Sequence, residues 1–363
     1  MTGWFRIILS LLVLSALRGF ATQGLADDGS GLPAVLSLSD REATSFAAPE
    51  GELSFGSETL LKSCWSPEEL LGQPEDGRIL KQSDPHGSQP PSGISPIHPL
   101  PRLAPERQNV IRHVHPSDGR KVVALTFDLC EAAREISGYD KDVVNYLRLN
   151  SVQATFFAGG KWMRSHPEKT QQIMADPLFE VGNHSWSHRD FRAITPGQMQ
   201  QQILWTQAEY ELLREELHSR PCAQRLDSVG RETIPIAPLL FRFPYGACSA
   251  EALQMLARNG LAVIQWDVVT GDPARTQTPE EIARIVLQKT RPGSIIVCHA
   301  NGRGHGTAQA LPLFVPRLRS MGYEFVTVSK LLAGGAPVST DQCDEYGVKY
   351  RPGIRKRQDK SAE

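Results

Sequence analysis

Short apolar runs alternate with longer helix-like segments from residue 122 to residue 328. The apolar runs have the length of β-strands and lie at Val122–Phe127, Ala154–Ala158, Phe179–Gly182, Leu239–Phe243, Ala262–Trp266, Ser294–Cys298 and Phe325–Val328. The intervening segments predict helices at Lys141–Leu149, Pro167–Ala175, Pro196–Leu217, Ala250–Arg258, Pro279–Thr290 and Ala308–Ser320. Strands that alternate with helices in this way indicate a parallel sheet covered by helices. The pattern predicts the α/β class and favours one irregular (β/α)7–8 barrel over two separate domains.

The first 26 residues have the pattern of a secretory signal peptide. Arg6 precedes the apolar run Ile7–Leu17, and Gly24-Leu25-Ala26 is typical of a cleavage site. The apolar run has eleven residues, whereas a membrane-spanning helix needs about twenty. The sequence therefore predicts export to the periplasm or beyond the cell, with an uncleaved amphipathic anchor as the alternative.

The segments on either side of the alternation look irregular. Residues 27–114 hold eleven of the 26 prolines, and such a composition buries too little apolar surface to offset its ordering entropy. We interpret these residues as a Pro-rich arm or linker, with a short helix near Pro67–Leu71. Residues 336–363 are interpreted as an irregular basic tail, so that the predicted barrel domain spans residues 115–335.

Composition and charge narrow the classes of partner. Apolar residues make up 40% of the 363 residues, which supports a large buried core. The chain has 39 basic and 40 acidic residues, a balance that argues against nucleic acid as a partner. Six cysteines are too few for a disulfide-stapled scaffold of this length but allow a few bridges in an oxidising compartment.

Reactive side chains follow five of the predicted strands. They are Asp128 after the first strand, Asn183, His184 and His188 after the third, Arg242 within the fourth, Asp267 and Asp272 after the fifth, and His299 after the sixth. In (β/α) barrels the active site lies where strands end and the following loops begin. We therefore expect these side chains to meet at one mouth of the barrel.

Each of these residues also has a purely structural explanation. His184 and His188 have a spacing typical of metal ligands, but they lack the glutamate of H-E-x-x-H metalloproteases and equally fit capping or surface positions. Asp128 alone equally fits a loop cap, and His299 a hydrogen-bonded core histidine. A buried Arg242 would need an anionic partner because an unpaired buried charge is costly, and Asp128 is the natural candidate.

In this order, the residues resemble the NodB-homology polysaccharide deacetylases, which form carbohydrate esterase family four. The resemblance covers about residues 122–332 and five motifs. As they stand here, the motifs are TFDLC at 126–130 (family T-F-D-D-G), HSWSH at 184–188, RFPYG at 242–246, VTGDP at 269–273 (family D-x-x-D-W) and VCH at 297–299 (family L-x-H). The third motif is the most specific, and the order and spacing strengthen the match.

The resemblance implies an exported hydrolase that removes N-acetyl groups from a glycan containing N-acetylglucosamine, with a divalent metal that is usually zinc. The implied roles are general base for Asp128, general acid for His299, metal ligands for His184 and His188, partner of Asp128 for Arg242, partner of His299 for Asp272, and backbone oxyanion donor for Tyr245. Amide hydrolysis needs such a set, because the carbonyl must be polarised, the oxyanion stabilised and the leaving amine protonated.

The first and fourth motifs depart from the family pattern. Leu129 stands where the family has its third protein ligand, and a leucine cannot bind a metal, whereas catalytic zinc sites usually have three protein ligands. We predict that Glu131 replaces it as a metal ligand, with Asn183 and Asp128 as alternatives. Pro273 replaces the tryptophan that usually walls the acetyl pocket; Trp266 either substitutes for it or packs inside the barrel.

The cysteines raise separate questions. Cys130 and Cys298 adjoin the proposed base and acid, and we interpret them as buried thiols; a disulfide at the mouth and a soft metal ligand are the alternatives. The pairing of the others does not follow from the sequence. Cys64 and Cys343 lie outside the predicted strands, so we expect a disulfide between them that clamps the arm.

Three functions follow from these observations. The leading hypothesis is a metal-dependent deacetylase of an amino-sugar polymer or oligomer. The second is an inactive or weakly active glycan-binding protein on the same scaffold, which Leu129 keeps open. The third is a hydrolase of another carbon–nitrogen amide bond, such as that of a cyclic imide. We expect no nucleic-acid partner and no membrane span after signal cleavage.

Overall fold

A computed structural model describes residues 55–82, 90, 98–226 and 233–342 of the chain. The predicted signal peptide, much of the Pro-rich arm and the tail beyond residue 342 lie outside these ranges, so those predictions stay predictions. Within the described ranges, no helix combines the length and the apolar character that crossing a membrane requires.

The described residues form twelve strands and eleven α-helices. The strands are β1 (Leu80–Lys81), β2 (Val110–Pro116), β3 (Lys121–Leu129), β4 (Glu135–Ile136), β5 (Ala154–Ala158), β6 (Phe179–Asn183), β7 (Leu240–Phe241), β8 (Ala262–Val263), β9 (Val268–Val269), β10 (Ile295–His299), β11 (Tyr323–Val326) and β12 (Gly335–Thr340). The helices are α1 (Glu58–Cys64), α2 (Pro67–Leu71), α3 (Lys141–Leu149), α4 (Gly160–Ser165), α5 (Pro167–Ala175), α6 (Pro196–Ser219), α7 (Pro221–Gln224), α8 (Ala250–Arg258), α9 (Pro279–Lys289), α10 (Thr307–Ser320) and α11 (Val328–Ala333).

A parallel sheet of eight strands forms the centre of the described part. Its order is β8-β7-β6-β5-β3-β10-β9, and β11 pairs with the first half of β3. The sheet curls into an open barrel, which confirms the predicted irregular (β/α) architecture. Near the end strand β8, Ile111 of β2 forms a parallel bridge with Ile264, so β2 lies beside the edge of the sheet.

The sequence of β3 separates the two faces of this sheet. Leu125, Phe127 and Leu129 belong to the apolar cluster that also contains the buried faces of helices α3 and α10. Ala124 belongs to a second cluster, with residues of β7, β8 and β10. Because side chains alternate along a strand, Asp128 continues the face of Ala124 and points toward the carboxyl-terminal mouth of the sheet.

The alternation of apolar runs located the main elements well. The predicted bounds of α3, α5 and α8 coincide with those observed, and the short helix expected near residue 67 is α2. The prediction of an irregular segment from residue 336 is wrong for 336–340, because this segment pairs antiparallel with β2 as β12. Strand β2 itself begins at Val110, within the predicted arm. Strands β2 and β12 pair with each other although they are far apart in the sequence, and a local periodicity does not reveal such a pairing.

One disulfide joins two helices outside the sheet. Cys64 at the end of α1 is bonded to Cys222 in α7, with their Cα atoms 5.2 Å apart. The predicted pairing of Cys64 with Cys343 is therefore wrong. Cys248 is also disulfide-bonded. The pairing depends on the packing of α1 against α7, which brings together two cysteines that are 158 residues apart in sequence.

Candidate functional site

A buried ion pair between Asp128 and Arg242 lies at the end of β3. Nη1 of Arg242 donates to Oδ1 of Asp128 at 2.8 Å and to the hydroxyl of Thr126 at 2.7 Å. Its Nε donates to the carbonyl oxygen of Ile264 at 3.2 Å, and the guanidinium carbon lies 4.0 Å from the centre of the Phe157 ring. Burial raises the pKa of Asp128, but the charges of Arg242, His184 and His299 and the hydrogen bond from Arg242 together outweigh it, so the net pKa is lowered. Asp128 is thus an ionised carboxylate with one oxygen held in place.

A second ion pair joins His299 to Asp272, which lies in the loop after the neighbouring strand β9. His299 ends β10 and is the register partner of Asp128. Oδ1 of Asp272 lies 2.9 Å from Nδ1 of His299, and Oδ2 accepts the His299 backbone N–H and the Thr307 hydroxyl, both at 2.7 Å. Burial lowers the pKa of His299, but the charge and hydrogen bond of Asp272 more than offset it, so the pKa is raised. Nδ1 carries the proton shared with Asp272, which leaves Nε2 for a substrate.

Between these pairs lies a cluster of three possible metal donors. One ring nitrogen of His184, one of His188 and the sulfur of Cys130 all lie within 4.8 Å of one another. Nδ1 of His184 donates to the carbonyl oxygen of Arg242 at 2.9 Å, which fixes its tautomer. Nε2 of His184 is buried without a hydrogen-bond partner and lies 3.7 Å from Oδ2 of Asp128. An orphaned buried nitrogen of this kind indicates a missing ligand.

The chemistry of this donor set fits a divalent metal ion. Burial lowers the pKa of His184 and, more strongly, of His188, so both imidazoles are neutral, the form that binds metals. Burial also raises the pKa of the Cys130 thiol to about 12, so without a cation the sulfur keeps its proton. Two imidazoles and a sulfur are ligands that zinc accepts in catalytic sites.

Glu131, which the sequence analysis predicts as the third metal ligand, is not part of this cluster. Its Oε1 accepts from Nζ of Lys161 at 2.6 Å and from the hydroxyl of Ser165 at 2.7 Å. Its Oε2 accepts from the backbone N–H of Ser137 at 2.9 Å. That prediction is wrong for a physical reason: alternation carries residue 130 to the face of Asp128 and turns residue 131 toward the helices. The alternation itself was the signal that could have identified Cys130.

Two further sequence candidates have structural roles. Asn183, the alternative ligand, donates from Nδ2 to Gln207 at 2.9 Å and accepts from the backbone N–H of Ser185 at 2.8 Å, so its amide is engaged inside the barrel. Asp267 accepts from the backbone N–H of Ile295 at 2.9 Å. Because Ile295 begins β10, Asp267 lies at the opposite end of that strand from the candidate site.

A pocket of about 630 Å³ opens over the site. Asp128, Cys130, His188 and His299 contribute to its polar side. Its apolar side includes Trp266, Val269, Pro273 and Val297. The ring centre of Trp266 also lies 5.4 Å from the guanidinium of Arg242, so this residue packs against the buried arginine and lines the pocket at the same time. The pocket therefore offers polar groups beside an apolar wall, as a small acyl group requires.

One wall of the pocket was missed by the sequence analysis. Arg303 and Glu135 line it and form an ion pair, with Nη2 and Oε2 2.5 Å apart. Arg303 lies in the loop after β10, which is a position where barrel enzymes place functional groups. That position was the available signal, but no motif drew attention to it.

Backbone strain is concentrated at the same place. Four non-glycine residues of the described chain have a left-handed φ, and three of them are Ser185 (66°), His188 (54°) and Tyr245 (59°). Tyr245 lies in the 3-10 turn Pro244–Gly246, and its ring centre is 4.4 Å from that of His188. Strained conformations of this kind tend to cluster at functional sites, so the turn is a fitting place for the predicted oxyanion donor.

A sequence comparison relates one segment of this fold to a known family. Residues 115–264 match the profile described as polysaccharide deacetylase. This segment of the chain is similar to the polysaccharide deacetylases. The matched segment begins at His115 in β2 and reaches Ile264, beside β8. It therefore includes three of the five strands that carry site residues, namely β3, β6 and β7, and ends before β9 and β10.

Two curated relatives illustrate the range of the family. The uncharacterized protein YlxY of Bacillus subtilis is 26% identical over 194 residues, which is 53% of this chain and 53% of that protein. A peptidoglycan-N-acetylglucosamine deacetylase of Bacillus cereus is 28% identical over 215 residues, or 58% of this chain and 67% of that protein. The chain thus spans about half to two thirds of the length of these relatives.

Solved structures support the fold of the polysaccharide deacetylase domain. A crystal structure of a peptidoglycan N-acetylglucosamine deacetylase has a TM-score of 0.51 at 24% identity, and the match covers 61% of this chain and 92% of that one. A CE4 family pseudoenzyme from Bacillus anthracis has a TM-score of 0.50 at 24% identity, covering 63% and 70%. Because an enzyme and a pseudoenzyme share this fold, activity has to be argued from the site itself.

Proposed function

We propose that this polysaccharide deacetylase homologue is an exported, metal-dependent hydrolase that removes N-acetyl groups from an amino-sugar polymer or oligomer of the chitin or peptidoglycan type. The observation that carries the proposal is the placement of Asp128 and His299 on neighbouring strands beside the donor cluster. Each has its own partner, Arg242 or Asp272, and the two partners drive their pKa values in opposite directions. Such divergence is typical of an acid and a base with separate roles.

His184, His188 and Cys130 are the residues that would hold the metal. When bound, a divalent cation polarises the amide carbonyl and lowers the pKa of water. Oδ1 of Asp128 is held by Arg242, so Oδ2 is the oxygen that accepts a proton from the attacking water. The carboxylate keeps this role into the acid range because its pKa is lowered.

On the opposite side, His299 supplies the proton for the leaving amine. Its Nδ1 is bound to Asp272, so transfer takes place from Nε2, and the raised pKa keeps the imidazole protonated to higher pH. The backbone N–H of Tyr245 is the proposed donor to the oxyanion. The apolar wall that contains Trp266 and Val297 would receive the methyl group of the acetyl.

Export is supported by two independent features. The first 26 residues have the pattern of a signal peptide. The disulfide between Cys64 and Cys222 is typical of proteins that leave the reducing cytosol. Cell fractionation of the full chain, with detection by a C-terminal tag, tests this part: we expect the protein outside the cytosol, and a cytosolic protein of unchanged length would contradict it.

The activity is tested by acetate release from N-acetylated chito-oligosaccharides and from peptidoglycan, with zinc supplied. We expect acetate together with an equal amount of new free amine. Binding of these glycans without release of acetate would instead support the inactive glycan-binding alternative, which Leu129 favours. Release from small acylated amides or cyclic imides alone would support the third hypothesis.

A further inference from the structure

We propose that Cys130 is the third protein ligand of the metal centre, bound as a thiolate, and that the centre therefore prefers zinc-like ions over magnesium, calcium or manganese. This inference rests on the proposed function for the presence of a metal, and it deepens that function by naming the ligand and the class of ion. It concerns residues of this chain in which the family pattern is broken, at Leu129 and Cys130.

The position of the sulfur is the first argument. Asp128 lies near the end of β3 and Cys130 directly follows the strand, and the side chains of both residues line the same pocket. The sulfur lies within 4.8 Å of donor atoms of His184 and His188. A single ion placed among the three atoms would be within bonding reach of all of them after small side-chain movements, since zinc–sulfur and zinc–nitrogen bonds are about 2.0–2.3 Å long.

The second argument is independent of the cysteine. Nε2 of His184 is buried, has no hydrogen-bond partner and belongs to a side chain that is 1% exposed. Its other nitrogen is fixed by the carbonyl oxygen of Arg242 at 2.9 Å. A buried nitrogen is costly to leave unpaired, so this orientation points to a ligand that the protein expects at Nε2.

Three positions that could have supplied another third ligand are occupied. Leu129 is fully buried in the apolar cluster between sheet and helices. Glu131 is bound to Lys161, Ser165 and the backbone, and the amide of Asn183 is hydrogen-bonded on both sides. Asp128 approaches His184 at 3.7 Å but does not belong to the cluster of mutually close donors, in which Cys130 accompanies both histidines.

The side-chain amide of Asn301 lies next to the sulfur of Cys130 and would support its binding to a metal as a thiolate. Nδ2 of Asn301 donates to the carbonyl oxygen of Cys130 at 2.7 Å and lies 3.1 Å from its sulfur. A donor next to a thiolate orients it and offsets part of its negative charge, as outer hydrogen bonds do around metal ligands. A thiolate prefers zinc and other soft or borderline ions, whereas magnesium, calcium and manganese prefer oxygen.

Cobalt(II) provides the test because a cobalt–thiolate bond has a near-ultraviolet charge-transfer band that nitrogen and oxygen ligands do not produce. The full chain is freed of metal, titrated with Co²⁺, and the bound cobalt is then displaced with Zn²⁺. We expect the band in the wild type and in Cys298→Ser, a matched control that removes the other free buried cysteine. We expect no band in Cys130→Ser, and zinc affinity weakened at least about 100-fold, because outer-shell changes alone cost 10–100-fold.

The spectrum of the cobalt-loaded wild type tests for a thiolate ligand even if Cys130→Ser does not fold. One equivalent of cobalt bound without the band overturns the inference and leaves a metal-dependent deacetylase possible, as does a band that persists in folded Cys130→Ser. A band that depends on Cys130 in a protein that releases no acetate supports the inference and contradicts the proposed activity. Absence of any cobalt binding overturns the inference as well as the metal dependence.

Discussion

Two buried ion pairs involve residues close to Cys130 in the chain: Glu131 with Lys161, and Asp128 with Arg242. They differ in whether all their polar neighbours have hydrogen-bond partners. Glu131 and Lys161 are fully buried, and both carboxylate oxygens of Glu131 have partners. Asp128 and Arg242 are equally buried, but Asp128 lines an open pocket and faces the unpaired Nε2 of His184. An ion pair whose polar atoms all have partners is typical of a structural role, whereas an unpaired ring nitrogen beside a carboxylate with a perturbed pKa is typical of a candidate site.

The structural pair still serves the site indirectly. Lys161 also donates to the carbonyl oxygen of Glu135 at 2.5 Å, and the side chain of Glu135 holds Arg303 in the wall of the pocket. The Glu131–Lys161 pair therefore fixes the loop between β3 and β4, on which both Cys130 and that wall depend. Variants of the Asp128–Arg242 pair should mainly lower kcat, whereas variants of the Glu131–Lys161 pair should mainly lower the free energy of unfolding.

The largest effect is expected for Asp128→Asn. Loss of the general base should lower kcat for acetate release by about 10²–10⁴-fold. The amide preserves the shape of the side chain but leaves Arg242 buried without its counter-charge, so the variant should also lose stability, and kcat is compared at a temperature at which circular dichroism shows that it is folded. An equal rate in the variant and the wild type would favour the glycan-binding alternative. The matched control is Glu131→Gln, for which we expect a loss of stability with kcat less affected than by Asp128→Asn.

The next effect is on stability, for Lys161→Met. Removal of the ammonium leaves Glu131 buried without its cation, and breaking a buried pair in this way costs about 3–5 kcal/mol. Denaturant unfolding followed by tryptophan fluorescence measures the change. An unchanged midpoint would show that the Glu131 network does not depend on the charge of Lys161.

A smaller loss of stability should follow from the double variant Cys64→Ser/Cys222→Ser. The bridge closes a long loop, with a sequence separation of 158, and native disulfides of this kind typically contribute about 2–4 kcal/mol. Because α1 and α7 lie outside both ion pairs, kcat at a temperature well below unfolding should be unchanged. A matching loss of kcat in the folded protein would show that the bridge supports the site.

The smallest expected change is a shift of the alkaline limb of the kcat/KM–pH profile in Asp272→Asn. Asp272 raises the pKa of His299, and the acid is active while protonated, so activity falls as the pH rises through that pKa. Replacing the carboxylate removes this stabilisation, and the alkaline limb of kcat/KM should move to lower pH. The acid limb, which reports Asp128, should stay in place. An unmoved alkaline limb would exclude His299 as the acid that Asp272 controls.

Much of the fold and most of the site were predictable from the sequence. The alternation of apolar and helix-like segments determined the parallel sheet, because strand and helix periods are local properties of the chain. Asp128, His184, His188, Arg242 and His299 come at strand ends, and parallel strands bring those ends to one edge. Their convergence therefore follows from topology without any knowledge of contacts.

Only the tertiary structure revealed the features that depend on residues far apart in the chain: the candidate third metal ligand, the disulfide pairing and one wall of the pocket. Glu131 is drawn away from the site by Lys161, which is 30 residues along the chain, and that leaves Cys130 beside the histidines. Cys64 pairs with Cys222, and Arg303 closes the pocket wall through Glu135. A local pattern indicates which face a residue takes, but the partner that a charged group or a thiol meets is set by the packing of elements that the pattern does not relate.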